Sequence, residues 1–271
     1  MNTIKLKSPD EIEAMYRANQ VVAEALMAMA DIVKPGLTTA ELDEVARKVL
    51  EKHGARSAFL NYPHSNGGQA FPATVCTSVN EIIVHGVPSR DTVLKNGDIL
   101  SMDFGAVVDG WVGDSALTVP VGDVSEDARR LLETGRECLS AAIDQARDGR
   151  RLGDLSNAVQ RLAESHGFGV VTEFVGHGIG RSMHEPPPIP NVGMPGTGQR
   201  IKVGMVLAIE PMINAGTPAV VTEADGWTAR TRDRKLSAHF EHSVAVTPEG
   251  PRILSARPRW NQRASPRETR S

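Results

Sequence analysis

Residues 94–103 (LKNGDILSMD) and 201–210 (IKVGMVLAIE) share one pattern at an offset of 107: a Lys-x-Gly turn, an apolar run, then an acid. Upstream, residues 34–42 (KPGLTTAEL) align with 147–155 (RDGRRLGDL), and 51–54 (EKHG) with 164–167 (ESHG), both at an offset of 113. Three matches in the same order make chance a minor explanation. A repeat of so long a period is not a solenoid array. It predicts two related halves, each with two helices followed by strands, packed as one unit. Asp103 and Glu210 then occupy equivalent places facing a central seam.

The local signals agree with this plan. Ser8-Pro9-Asp10-Glu11 reads as a capping box with proline in the first turn, and Ile12, Met15, Val22, Leu26 and Val33 continue a helical stripe until Lys34-Pro35-Gly36. Thr38-Thr39-Ala40-Glu41 is a second capping box, opening a helix that ends at Gly54. Residues 61–72 are loop-like and 73–84 are β-rich. Further helices are expected over 125–147 and 152–166. The remainder to Pro248 reads as strand and loop, interrupted by the proline-rich stretch 185–190. Beyond Pro251 the repeated arginines (Arg252, Arg257, Arg259, Arg263, Arg267, Arg270) read as a disordered tail.

Between Ile99 and Ser115 lies a hairpin signal. Asp109-Gly110 suits a two-residue turn whose central positions both take positive φ. Val108 then faces Trp111, and Gly105 faces Asp114. Asp103 becomes the diagonal neighbour of Asp114 on one face, with Cα atoms roughly 7–8 Å apart. Two acids on an apolar-looking face are costly unless a positive charge lies between them. The alternative is a solvated edge carrying two stray acids.

Three more candidates sit in similar surroundings. His177 is flanked by glycines in Val175-Gly-His-Gly-Ile-Gly180, Glu210 ends an apolar run before Pro211, and Glu241 lies in Phe240-Glu-His-Ser-Val-Ala-Val246. The glycine spacing is not a dinucleotide loop, because prolines 186–190 stand where a helix should begin. Singly, each has a bland reading as a structural histidine or a solvated strand-end acid. Together, two Asp, two Glu and one His form a donor set of mostly hard oxygens. That set suits two Mn, Fe, Co or Mg ions better than a structural zinc.

The balance of the chain excludes other classes. With 271 residues, 40% hydrophobic, 23% charged and a net charge of −3, it can bury a full core and gives no electrostatic case for nucleic acid or membrane as main partner. The first residues show no apolar signal region, and no long uncharged apolar run occurs. Two cysteines, Cys76 and Cys138, indicate free thiols and a cytoplasmic setting.

Asp103, Asp114, His177, Glu210 and Glu241, within GHGIGRSMHE, IEPMIN, DGWT and SAHFEHSVAVT, resemble type I methionine aminopeptidases, over about residues 8–250. The resemblance implies an α/β (α+β) pseudo-twofold "pita-bread" fold, two αα-plus-strands halves around a curved, mostly antiparallel sheet. One catalytic domain would span 1–250, with halves about 8–120 and 121–250, before an arginine-rich tail, 251–271. It implies removal of the initiator methionine from nascent chains, with a small second residue preferred, at the ribosome, by a monomer. Two divalent ions (Co, Mn, Fe, Zn or Ni) are implied, and a hydroxide bridging them as nucleophile. Asp103 would hold one ion, His177 and Glu210 the other, and Asp114 and Glu241 both, with Glu210 also moving a proton.

By the same resemblance, His85 and His184 would contact the scissile peptide, His184 at the carbonyl oxygen. Phe71, Cys76, Met183 and Trp227 match positions lining the methionine pocket, and Asn80 and Ser237 match a monovalent-cation site. Met183 stands where an aromatic is common, and residues 61–69 form an altered or lengthened loop. Proline-specific relatives carry an extra N-terminal domain, for which a first helix starting near Ser8 leaves no room. A metal-free relative acting as a binding module would lack ligands, and none is missing.

Overall fold

The computed structural model describes residues 4–64 and 67–257. Each half opens with two helices. α1 (Pro9–Ile32) and α2 (Thr39–His53) precede β1 (Arg56–Ser57), β2 (Val75–Val79), β3 (Ile82–Val84), β4 (Ile99–Val108) and β5 (Trp111–Pro120). α3 (Glu126–Gln145) and α4 (Leu152–Ser165) precede β6 (Gly169–Val170), β7 (Gly176–Gly178), β8 (Glu185–Ile189), β9 (Val206–Ile209) and β10 (Met212–Asn214). The chain ends its described course with β11 (Val220–Thr222), β12 (Ala229–Thr231), β13 (Ser237–His239), β14 (His242–Thr247) and β15 (Gly250–Ile253). The order predicted from the repeat is the order observed.

The helix ends are fixed by the predicted chemistry. Glu11 Oε2 accepts from the Ser8 N–H (2.9 Å) and Ser8 Oγ from the Glu11 N–H (3.3 Å). Glu41 closes the start of α2 by accepting from the Thr38 N–H at 2.8 Å. Gly54 stops that helix at φ 58°, a left-handed value glycine adopts without strain. Along α1, Met15, Val22, Leu26 and Met29 are fully buried. Each such side chain contributes about 1.5–3 kcal/mol relative to exposure.

All strand pairs are antiparallel among the described residues, in four small sheets. β4 pairs along one edge with β5 and along the other with β1 and β2. The second half supplies the order β15-β14-β9-β7-β8 and the sheet β13-β10-β6, while β11-β12-β3 joins the two halves. Asp109 and Gly110 take φ 50° and 75°, and the ladder sets Val108 opposite Trp111 and Gly105 opposite Asp114, as the hairpin signal predicted. α1 lies directly against β5 because residue 113 is glycine, where a Cβ would come within 2.7 Å of the Asn19 nitrogen. This lets buried Asn19 accept the Asp114 N–H at 3.3 Å.

Two expectations need correction. The proline-rich stretch does not interrupt the β structure: Glu185–Ile189 is strand β8, at the edge of its sheet, where a missing N–H can face away from the ladder. Residues 251–257, expected to belong to a disordered tail, are ordered. Gly250–Ile253 pairs with β14, Leu254 is fully buried and Arg257 is 5% exposed. The rest of that tail, 258–271, lies outside the described residues.

Candidate active site

Both halves deliver their acids to one cavity of about 430 Å³. Asp103 and Asp114 come from within β4 and β5, His177 from the centre of β7, Glu210 from the residue after β9, and Glu241 from the residue before β14. One ligand atom each from Asp114, His177 and Glu241 lie within 4.8 Å of one another. His177 Nε2 is 3.5 Å from Glu210 Oε1 and 3.7 Å from Asp114 Oδ2, and Asp103 lines the same cavity. His177 Nδ1 lies 2.9 Å from the Gly178 carbonyl, which places its proton there and leaves the Nε2 lone pair toward the acids.

Burial dominates the electrostatics. It raises Asp103 to about 7 and pushes Asp114, Glu210 and Glu241 well above the usual carboxylate range, with mutual repulsion adding to these three. Burial also lowers His177 to about 3 and His85 to about 4. Asp103 Oδ1, Asp114 Oδ1 and Glu241 Oε1 are buried without a hydrogen-bond partner. Buried acids with orphaned oxygens, two of them (Asp114 and Glu241) grouped with the His177 imidazole, are what a divalent cation satisfies, so the residues fit one.

Facing this floor is an apolar wall. Phe71, Cys76, Met183 and Trp227 line the cavity with His85 and His184. The Phe71 and Trp227 rings meet edge to face at 5.3 Å, and the Trp227 indole N–H donates to the Gln69 carbonyl at 2.8 Å. Space for the wall depends on Gly105, where a Cβ would stand 2.9 Å from Phe59 and 3.4 Å from the Met183 methyl. Cys76 sits opposite Asp103 in the β2–β4 ladder, and burial, reinforced by that acid, pushes its thiol pKa well up. His85 holds a left-handed φ of 61°, a strained value for a residue with a Cβ, and packs edge to face on Phe174.

The sequence reading did not name Phe59, Tyr62 or Phe174, yet all three line the cavity. Tyr62 matters most: its hydroxyl is 2.6 Å from His184 Nδ1. Burial raises the Tyr62 pKa and lowers that of His184, so a protonated phenol meets a neutral imidazole. Donation from Tyr62 leaves the ring proton on Nε2 of His184. The adjoining Glu185 carboxylate accepts from the Arg181 and Ser182 N–H groups and pairs with buried Lys7 at 2.7 Å, tying down the loop that carries His184. Asn80 and Ser237 are also brought together, the Ser237 N–H donating to the Asn80 carbonyl at 2.8 Å. The Asn80 side chain is already engaged by Asp98 and the Ile99 N–H.

Comparison with known proteins gives one answer. The model of metallopeptidase family M24 matches residues 13–248. A methionine aminopeptidase from Aquifex aeolicus is 46% identical over 93% of this chain and 98% of its own length. Methionine aminopeptidase 1 from Bacillus subtilis is 47% identical over 92% and 98%. The crystal structure of a methionine aminopeptidase from Thermotoga maritima superposes with a TM-score of 0.89 at 43% identity, covering 93% of this chain and 99% of that one. The fold is thus shared with these proteins, and the chain belongs to metallopeptidase family M24, among the methionine aminopeptidases.

Proposed function

We propose that the chain removes N-terminal methionine from nascent polypeptides, with Asp103, Asp114, His177, Glu210 and Glu241 holding two divalent ions. The observation that carries this reading is the set of partnerless buried carboxylate oxygens around His177 at the base of an apolar cavity. Bound divalent ions would supply a water of lowered pKa and polarise the scissile carbonyl.

The protein's own groups do the rest. The wall of Phe71, Cys76, Met183 and Trp227 receives the thioether chain, for which aromatic and sulfur surfaces are suitable partners. It offers no charge, so lysine or glutamate at the first position would be buried unpaired and refused. His184 donates its Nε2 proton to the carbonyl oxygen as negative charge grows there. His85 contacts the peptide beside it, crowding the second residue so that glycine, alanine or serine is preferred. Glu210 takes a proton and passes it to the leaving amine. The reading extends to action at the ribosome in the cytoplasm, by a monomer, with a monovalent cation near Asn80 and Ser237. Among the described residues no helix is long and apolar enough to cross a membrane.

The test is methionine release from Met-Ala-Ser by metal-stripped protein with Mn, Co, Fe, Zn or Ni added back one at a time. Leu-Ala-Ser should trail by about 1–3 kcal/mol in kcat/KM, the worth of a small shape difference. Formyl-Met-Ala-Ser and Met-Phe-Ser should be refused. Fast cleavage of Ala-Pro with slow cleavage of Met-Ala-Ser would move the chain to a proline-specific reaction.

A further inference from the structure

β5 and β14 share no strand ladder among the described residues, yet the acid pair Asp114 and Glu241 meets across the gap between them. Three hydrogen bonds close that gap. The Glu241 N–H donates to the Ala116 carbonyl at 3.0 Å, Ser243 Oγ to the Asp114 carbonyl at 2.8 Å, and Ser115 Oγ to the Glu241 carbonyl at 2.6 Å. Each lands on, or beside, one of the two acids.

Arg257 reaches this seam from behind. Its Nη1 donates to Ser115 Oγ at 2.5 Å and its Nη2 lies 3.4 Å from the Ala116 carbonyl, while its charge acts directly on Glu241. The segment leading to it is stitched in place. The Leu254 N–H donates to the Ser243 carbonyl at 2.9 Å, and Ser255 Oγ accepts the Ser243 N–H at 3.1 Å and meets His242 Nδ1 at 2.8 Å. A buried guanidinium is costly unless its surroundings use it. Here its fork engages a hydroxyl and a carbonyl on the strand that bears Asp114, a geometry that a flexible ammonium would reproduce only in part.

We propose that Arg257 is a positioning residue for the acid pair: by pinning Ser115 against the Glu241 carbonyl, it sets the spacing of Asp114 and Glu241 and hence their affinity for divalent cations. This rests on reading those two acids as ligands. The sign of the effect is diagnostic. Removing a cation beside the acids would, through charge alone, tighten divalent binding. Removing a mere space-filler would leave it unchanged. Loosening the seam weakens it.

The experiment compares full-length wild type with Arg257→Met, Arg257→Lys and Ser115→Ala, the last two keeping the positive charge. Mn²⁺ affinity is measured by calorimetry at one fixed pH, and amide exchange is followed in the metal-free proteins. Arg257→Met and Ser115→Ala should each weaken Mn²⁺ binding by about 10-fold or more, the usual scale for a group that orients a ligand. Both should speed exchange in peptides covering residues 113–118 and 239–245, and Arg257→Lys should recover part of each effect. Unchanged or tighter Mn²⁺ binding with unchanged exchange in Ser115→Ala and Arg257→Lys overturns the proposal, even if Arg257→Met fails to fold. Wild type that binds no Mn²⁺ would overturn the ligand reading, and exchange alone would then decide whether Arg257 sets the seam.

Discussion

At one end of the cavity Asp103, Asp114, Glu210 and Glu241 crowd ionisable oxygens together; at the other, Phe59, Phe71, Cys76, Met183 and Trp227 present no charge. The floor is held by strands and by seam bonds, and it is electrostatically incomplete, with three acid oxygens lacking partners. The wall is complete as it stands, a small apolar cluster whose burial is favourable without any ligand. The difference separates two jobs. A site that must hold cations keeps unfavourable charge in store, whereas one that must select a side chain needs only shape and the absence of charge.

Breaking the floor should have the largest effect. Glu241→Ala should lower turnover by more than the roughly 10–100-fold that loss of an outer partner costs, and bound metal per chain should fall when measured by elemental analysis. Full activity with unchanged metal content would refute the assignment. Next comes the residue between the two ends: His184→Ala should keep its metal and lose turnover by about 10²–10³-fold, the worth of one oxyanion donor. Loss of metal in that variant would make His184 part of the floor instead. Damage to the wall should be milder and of another kind. Trp227→Ala should lose about 1–3 kcal/mol in kcat/KM for Met-Ala-Ser with metal content unchanged; a metal-poor variant would show that wall and floor are one structure.

The smallest effect concerns stability without metal. Buried histidines with lowered pKa, such as His85 at about 4 and His177 at about 3 against 6.5 when free, bind fewer protons folded than unfolded, so they make stability rise with pH up to about 6.5. The floor acids act oppositely. Asp103, at about 7 folded against 3.8 free, holds its proton longer in the native state, so its contribution is full at low pH and is lost as pH rises through 7. The two trends oppose one another in mildly acid solution, and above pH about 6.5 only the acids continue to titrate. The melting temperature in chelator should therefore be nearly level and then decline above that pH, and saturating Mn²⁺ should remove the decline. A melting temperature that climbs past pH 7 in chelator would break the contrast between floor and wall.

The floor was legible in the sequence only as a set: each acid or histidine alone allows a bland reading, whereas two Asp, two Glu and one His together form a donor set, and strand periodicity converts position into face. The pairing of Gly105 with Asp114 followed from Asp109-Gly110 alone, since a two-residue turn fixes the register of the whole ladder. Tyr62 was not legible. It lies in an aperiodic loop, and only tertiary folding brings its hydroxyl to His184, 122 residues away. Arg257 was hidden by its company: six arginines after Pro251 suggest a solvated tail, and composition cannot say that one of them is buried. Proline in β8 misled in another way, because an edge position removes the penalty that proline carries in a central strand.

Cys76 has a consequence for covalent chemistry. Its sulfur faces a substrate-sized cavity, where an electrophilic inhibitor would meet it, but burial and the neighbouring Asp103 hold it as the protonated thiol. Alkylation and disulfide exchange proceed through the thiolate. The sulfur should therefore behave as a small oily atom: iodoacetamide should pass it by, and a warhead designed for it should bind reversibly without forming a bond.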